Sequence, residues 1–149
     1  MRFWDSSAVV PLCVAEPRSA NARALLEGDP AVAVWWATRT ECLSALTRRM
    51  REGDLAPAGY RAARRVLAAL AETWVELLPS EAVRATAERL LAVHALRAAD
   101  AFQLGAALAW CGGRPHGHSI VTLDSRLHDT ASKEGFDALR DGEPAGSRV

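Results

Sequence analysis

Residues 2–10 read RFWDSSAVV, and this stretch decides the fold because one type of secondary structure gives way to another within it. The apolar segment 2–4 ends on the carboxylate of Asp5. Ser6 and Ser7 then suit the start of an apolar helical turn that runs from Ala8 to Val14. The pattern predicts a short strand that runs directly into a helix.

The same alternation continues along the chain. Apolar runs predict further strands at residues 31–36, 75–78, 119–123 and 136–139, and the uninterrupted run 31–36 is typical of a strand buried on both faces. Helical spacing and capping residues predict helices at 19–26, 38–51, 57–74, 80–91, 98–110 and 124–134. This order favours an α/β fold in which a central, mostly parallel sheet of four to five strands carries helices on both faces. Helices 38–51 and 57–74 are expected to form a projecting αα-hairpin.

Length and composition limit the possibilities. With 149 residues, half of them hydrophobic, the chain is expected to form one domain at residues 1–140, followed by a solvated tail at 141–149. The formal net charge is zero, so any nucleic-acid surface must be a local patch. Three cysteines without a C-x-x-C pair, and no apolar run long enough to span a membrane, indicate a cytoplasmic protein with no membrane partner.

Four carboxylates stand at the starts of predicted helices: Asp5, Glu41, Asp100 and Asp124. Asp100 is the most informative, because it lies in the first turn of the otherwise apolar helix 98–110 and loses hydration there unless something compensates it. Asp5 and Asp124 follow strands directly. Because ligands of parallel sheets bind outside the carboxyl ends of the strands, we expect these two to be neighbours.

Each carboxylate also has an ordinary structural explanation. Asp100 favours a helix N-terminus through the helix dipole, or pairs with the neighbouring arginine. Residues 38–41 fit an S/T-x-x-E capping box, which would occupy Glu41 and makes it the weakest of the four. Asp5 is placed to accept amide hydrogen bonds from the turn after it, and Asp124 to cap a helix.

Taken together, the four acids favour a metal site. Several carboxylates at one sheet edge repel one another, and a hard divalent cation relieves that repulsion. Oxygen-only ligation suits Mg²⁺ or Mn²⁺ better than Zn²⁺. A zinc site at Cys111, His116 and His118 lacks a compact fourth ligand.

Four segments, in order along the chain, are similar to those of one known family. They are FWDSSAVV at residues 3–10, TRTE at 38–41, LRAADAFQL at 96–104, and Thr-x-Asp-x-x-Leu at 122–127. On these motifs the chain resembles the PIN-domain nucleases, and within them the VapC-like toxins of type II toxin-antitoxin pairs. It departs from many relatives at Pro11, where a basic residue is common, and at Cys13, where an aromatic residue is common.

The resemblance implies a single PIN-like domain and a site for Mg²⁺ or Mn²⁺. Asp5 and Asp100 would be the principal ligands, Glu41 and Asp124 would complete the catalytic cluster, and Ser7 and Thr122 would support it by hydrogen bonds. The implied reaction is hydrolysis of an RNA phosphodiester bond by a metal-activated water. A cognate antitoxin and a homodimer are the implied partners besides RNA.

Two other classes of function remain open at this point. One is a catalytically silent RNA-binding or partner-binding domain that keeps the fold. The other is a Mg²⁺-dependent phosphoacceptor or phosphatase, although a haloacid-type phosphatase would carry a second aspartate where this chain has Ser7. The arginines between Arg48 and Arg65 are interpreted either as a solvated helix face or as RNA phosphate contacts.

Overall fold

One parallel sheet organises the molecule. A computed structural model describes residues 1–140, and its strands are β1 (Arg2–Trp4), β2 (Val32–Trp35), β3 (Val75–Leu77), β4 (Ser119–Val121) and β5 (Asp137–Leu139). The spatial order is β3-β2-β1-β4-β5, and every neighbouring pair is parallel. The predicted α/β class and five-stranded parallel sheet are therefore confirmed. The predicted tail at 141–149 lies outside the described residues.

Helices cover both faces of this sheet, as the sequence predicts. They are α1 (Ser6–Cys13), α2 (Ser19–Gly28), α3 (Thr38–Arg51), α4 (Pro57–Ala71), α5 (Glu81–Val93), α6 (Ala98–Trp110) and α7 (Ser125–Glu134). Helices α3 and α4 form the expected αα-hairpin, across which the Thr47 and Tyr60 hydroxyls lie 3.1 Å apart. Within the described residues, no helix combines the length and the apolar character needed to cross a membrane.

The central strand β1 contributes side chains to two separate hydrophobic cores. Successive strand side chains point to opposite faces of the sheet, and Phe3 and Trp4 are both completely buried, one in each core. The Phe3 core is closed by α5, α6 and α7, and the Trp4 core by α1, α3 and α4. Buried leucine and valine anchors of the two cores are Leu90, Leu104 and Leu127 on one face and Val9, Leu46 and Leu67 on the other.

Strand β2 is shorter than its apolar run predicts. Its four residues are all buried, but it ends at Trp35, and the next residue, Trp36, is 53% exposed. Trp35 instead stacks on Phe102 of α6, with ring centroids 5.8 Å apart. An apolar run thus marks the strand correctly but not the point at which the chain leaves the sheet.

The strand order creates a switch point beside β1. From β1 the chain moves outward through β2 to β3, and it later returns to the other side of β1 as β4. The crevice at the carboxyl ends of β1 and β4 therefore lies where the connections diverge, which is where open α/β sheets bind ligands. Asp5 and Thr122 directly follow these two strands.

Helices α5 and α6 pack unusually closely, and Gly105 makes this contact possible. A Cβ atom added at Gly105 would lie 3.1 Å from the Val83 carbonyl oxygen and 3.3 Å from the Ala87 backbone nitrogen. Both neighbours are backbone atoms of another helix, so they cannot move aside without shifting α5. Gly59 of α4 differs, because its closest neighbour is the end of the flexible Leu55 side chain at 3.0 Å.

We expect Gly105→Ala to destabilise the protein and Gly59→Ala to leave it unchanged or more stable. Alanine is favoured over glycine within a helix by about 1 kcal/mol, while overpacking a core costs about 1–3 kcal/mol. The net effect at Gly105 is a loss of about 1 kcal/mol in the free energy of unfolding, measured by urea titration. Equal stability of the two variants would contradict this close helix contact.

Candidate active site

Asp5 occupies the end of β1 and is the N-cap of α1. It is only 5% exposed, and one of its oxygens, Oδ2, accepts three hydrogen bonds. The donors are the Ser7 backbone N–H at 3.2 Å, the Ser7 hydroxyl, and the Thr122 hydroxyl at 2.9 Å. The structure thus brings Ser7 and Thr122 into hydrogen-bond contact with Asp5, while their supporting role in a metal site stays a prediction. The other oxygen, Oδ1, has only a long contact of 3.5 Å from the Ser6 hydroxyl.

The surroundings of Asp5 favour its neutral form. Burial raises the pKa of Asp5, and the nearby charge of Glu41 raises it further. The hydrogen bonds from Ser7 and Thr122 oppose this shift without cancelling it. Asp5 and Glu41 therefore lie close enough to repel each other when both are ionised.

Glu41 is not part of a capping box, so that interpretation of residues 38–41 is wrong. The residue before α3 is Ala37, which has no side-chain cap, and Thr38 is already a buried helical residue. Glu41 Oε2 instead accepts a hydrogen bond of 2.7 Å from the Gln103 side-chain amide. The structural explanation that weakened Glu41 as a site residue is thereby removed.

Gln103 is the site residue that sequence reasoning missed. It lies on α6, is 2% exposed, and its amide nitrogen donates to both Glu41 and the Thr38 hydroxyl, the latter at 3.3 Å. Its carbonyl oxygen Oε1 is buried and has no hydrogen-bond partner among residues 1–140. The signal was present, because Gln103 and Asp100 are the only polar side chains of the apolar helix 98–110.

Asp100 and Asp124 form the second acidic pair. Burial raises the pKa of Asp100, and the charge of Asp124 adds to the shift, while the neighbouring Arg97 and Arg126 oppose it. Asp124 is exposed and caps α7, where its Oδ1 accepts a hydrogen bond of 2.8 Å from the Leu127 backbone. The predicted capping role of Asp124 is confirmed. It does not conflict with a role in the site, since a carboxylate has two oxygens.

Two contacts join these pairs into one acidic edge. Gln103, one helical turn after Asp100 on α6, contacts Glu41 of the first pair. Thr122, two residues before Asp124, contacts Asp5. The four predicted carboxylates thus belong to elements that meet at the carboxyl edge of the sheet, and they form two pairs whose charges interact, Asp5 with Glu41 and Asp100 with Asp124.

The chemistry of this edge fits a hard divalent cation. Its donors are carboxylate oxygens, which Mg²⁺ and Mn²⁺ prefer, and a cation would offset the repulsion within both pairs. Among residues 1–140, no three or more His, Cys, Asp or Glu side chains are arranged to hold a metal ion. Mg²⁺ keeps several of its waters, however, so one or two carboxylates of this edge meet its needs.

Comparison with known protein families identifies the domain that carries these residues. The family model of the PIN domain matches residues 2–133, a segment that contains all four carboxylates. The chain belongs to the PIN-domain family. Within that family, Ribonuclease VapC45 and Ribonuclease VapC49 from two strains of Mycobacterium tuberculosis are each 34% identical to it over 137 residues, which cover 89% of this chain and 90% of the relative. The predicted VapC-like PIN domain is thus confirmed.

Solved structures share the fold of this PIN domain. The Mycobacterium tuberculosis toxin VapC20, described as cleaving the sarcin-ricin loop, superimposes with a TM-score of 0.66 and 20% identity, covering 91% of this chain and 96% of VapC20. A toxin-antitoxin complex from Klebsiella pneumoniae gives a TM-score of 0.61 and 17% identity, covering 85% of this chain and 88% of the matched chain. At these identities the similarity shows the fold alone.

We expect Asp100→Asn to make the metal-free PIN domain more stable at neutral pH. The pKa of Asp100 is raised above its ordinary value of 3.8, so the folded state binds this proton more tightly than the unfolded chain does. The stability contribution is present below pH 3.8 and is lost as the pH rises through the raised pKa. Thermal unfolding in a chelator should therefore give a higher Tm for the variant at pH 7, and the difference should shrink towards acidic pH.

The matched control for this experiment is Asp54→Asn. Asp54 is exposed in the α3–α4 connection and forms no ion pair among residues 1–140. The Tm of D54N should equal that of the wild type at every pH. A D100N protein that is less stable than wild type at pH 7 would show that Asp100 is not under electrostatic strain.

Proposed function

We propose that this chain is the toxin of a toxin-antitoxin pair and acts as an endoribonuclease dependent on Mg²⁺ or Mn²⁺. The observation that carries the proposal is the acidic edge, where Asp5, Glu41, Asp100 and Asp124 lie as two coupled pairs at the switch point of a PIN domain. The two ribonuclease relatives support RNA as the substrate.

In this proposal, Asp5 and Asp100 are the principal metal ligands, and Glu41 and Asp124 complete the cluster. A bound divalent cation supplies positive charge to the phosphate under attack and lowers the pKa of a water. Asp5 is held rigidly, because all three strong hydrogen bonds converge on Oδ2 and leave Oδ1 for the site. Ser7 and Thr122 thus orient Asp5 and favour its ionised form, which is the form that binds a cation.

Gln103 acts in this proposal as a positioning residue. Its amide donates to one oxygen of Glu41, Oε2, and the proposal assigns the other oxygen, Oε1, to the metal. Fixing a flexible glutamate before substrate arrives reduces the ordering that catalysis requires. On the opposite side, Asp124 is fixed by its cap bond to Leu127 and is the exposed member through which water reaches the edge.

The proposal extends to partners and compartment. A cognate antitoxin that obstructs the acidic edge is supported by the toxin-antitoxin complex that shares the fold. A homodimer and a cytoplasmic site of action, where RNA is available, complete it. The proposed nuclease domain covers residues 1–140.

Purified protein should cleave RNA when Mg²⁺ or Mn²⁺ is present and should stop when a chelator is added. Asp100→Asn should lower the cleavage rate by at least about 100-fold, because it removes a charged group that acts on the transition state. Gel analysis of a labelled RNA measures both effects, and Asp54→Asn serves as the charge-matched control. If wild type binds RNA but never cleaves it with either metal, the catalytically silent domain is the correct reading.

Gln103→Leu should lower cleavage by about 10- to 100-fold, the usual effect of removing a group that orients a metal ligand. Leucine keeps a similar volume but cannot donate to Glu41. The metal concentration that gives half-maximal activity should rise as well, an effect that simple destabilisation does not produce. Thr38→Val, which removes only the weaker 3.3 Å partner of Gln103, should have a smaller effect. Unchanged metal dependence in Q103L would contradict the positioning role.

A further inference from the structure

A cavity of about 340 Å³ lies between α3 and α4, away from the acidic edge itself. Four arginines surround it, one from α3 and three from α4, and buried or half-buried apolar side chains form its floor. The arginines are Arg39, Arg61, Arg64 and Arg65, and the floor includes Leu43 and Leu67. We call this feature the arginine cavity.

The arginine cavity carries positive charge that the described chain does not neutralise. Within residues 1–140, none of its four arginines forms an ion pair with a carboxylate. Other arginines are paired: Arg49 with Glu16, Arg84 with Glu81 and Arg89 with Glu134. The four guanidinium groups are exposed and repel one another weakly through solvent, and an anion bound among them would be attracted by all four.

The placement of the arginines follows from helix geometry. Arg61, Arg64 and Arg65 are spaced i, i+3 and i+4, so they share one face of α4. The Arg64 guanidinium lies over the Tyr60 ring, 5.7 Å from its centroid, which restricts this side chain on the cavity rim. Arg39 comes from the first turn of α3 and lies two residues before Glu41, so these two side chains leave the helix on different sides.

We propose that the arginine cavity binds the sugar-phosphate backbone of single-stranded RNA, in the same strand that the acidic edge would cleave. This inference rests on the proposed function, because it assigns the path of the same substrate. The planar guanidinium fork suits the bidentate binding of phosphate oxygens. The apolar floor of Leu43 and Leu67 offers a surface to the sugar or base face of an unpaired nucleotide.

Charge separation favours RNA over an acidic peptide as the occupant. Four carboxylates repel a polyanion, so the strand needs positive contacts that lie beside the acidic edge but not in it. Arg39 and the α4 arginines meet this requirement, because no carboxylate of residues 1–140 lines the cavity. The two ribonuclease relatives favour RNA as the polyanion that contacts both regions.

The test is RNA binding by the full chain in a chelator, which prevents cleavage. Fluorescence anisotropy with a labelled single-stranded RNA measures the affinity over a range of salt concentrations. The triple variant R61Q/R64Q/R65Q should bind at least about tenfold more weakly at low salt. The slope of log K against log salt should become shallower by about 2, since each lost phosphate contact on a single strand contributes about 0.7.

The matched control is R23Q/R114Q/K133Q, which removes the same charge from exposed positions outside the cavity. It should retain the wild-type slope if the cavity makes the specific contacts. Equal affinity and slope for the cavity variant and the wild type would overturn the inference. The inference would also be overturned if the cavity variant kept its affinity for RNA but no longer bound polyglutamate. That result would assign the cavity to an acidic protein partner.

Failure of the proposed function gives a different result. In that case wild type does not cleave RNA with Mg²⁺ or Mn²⁺, whether or not it binds RNA in the chelator. If wild type cleaves RNA and the cavity variant binds RNA as tightly as wild type, the protein is a nuclease. The arginine cavity is then not its RNA contact. Circular dichroism spectra and Tm values of both triple variants should match the wild type, because all six positions are exposed.

Discussion

The hydrogen bonds that hold the buried carboxylate of Asp5 are the interaction on which the site depends. They join the β1–α1 junction to the end of β4 through Ser7 and Thr122, residues 115 positions apart in the chain. A buried carboxylate without such donors would destabilise the fold. The three hydrogen bonds that make Asp5 tolerable all reach Oδ2, and among residues 1–140 its second oxygen, Oδ1, has only the long contact from Ser6.

Stability and function oppose each other at this edge. Burial and like charge raise the pKa of both Asp5 and Asp100, so the metal-free fold is under electrostatic strain at neutral pH. The strain is local, because the two cores on either side of the sheet are filled by apolar side chains. The apolar cores therefore support an acidic edge whose charges oppose folding. Preorganised sites commonly lower the stability of a fold in this way.

The zero net charge of the chain conceals a strong separation of charge. Carboxylates gather at the carboxyl edge of the sheet, while four arginines of α3 and α4 that form no ion pair among residues 1–140 gather around a separate cavity. The first turn of α3 carries one residue of each region, Glu41 and Arg39, on different sides of the helix. Total charge describes the long-range field of a protein but not the arrangement that a bound polyanion would meet.

Apolar periodicity and capping preferences act over a few neighbouring residues, so they predict the order of strands and helices along the chain, the parallel sheet and the four carboxylates at helix starts. The contacts of those carboxylates depend on how distant helices pack. Residues 38–41 satisfy a capping-box pattern, yet Glu41 is held by Gln103, which lies 62 positions away. Trp36 continues an apolar run, yet it lies outside the sheet and is exposed. A local sequence pattern cannot reveal the contact of Glu41, because Gln103 comes close to it only when α3 and α6 pack at the same edge of the sheet.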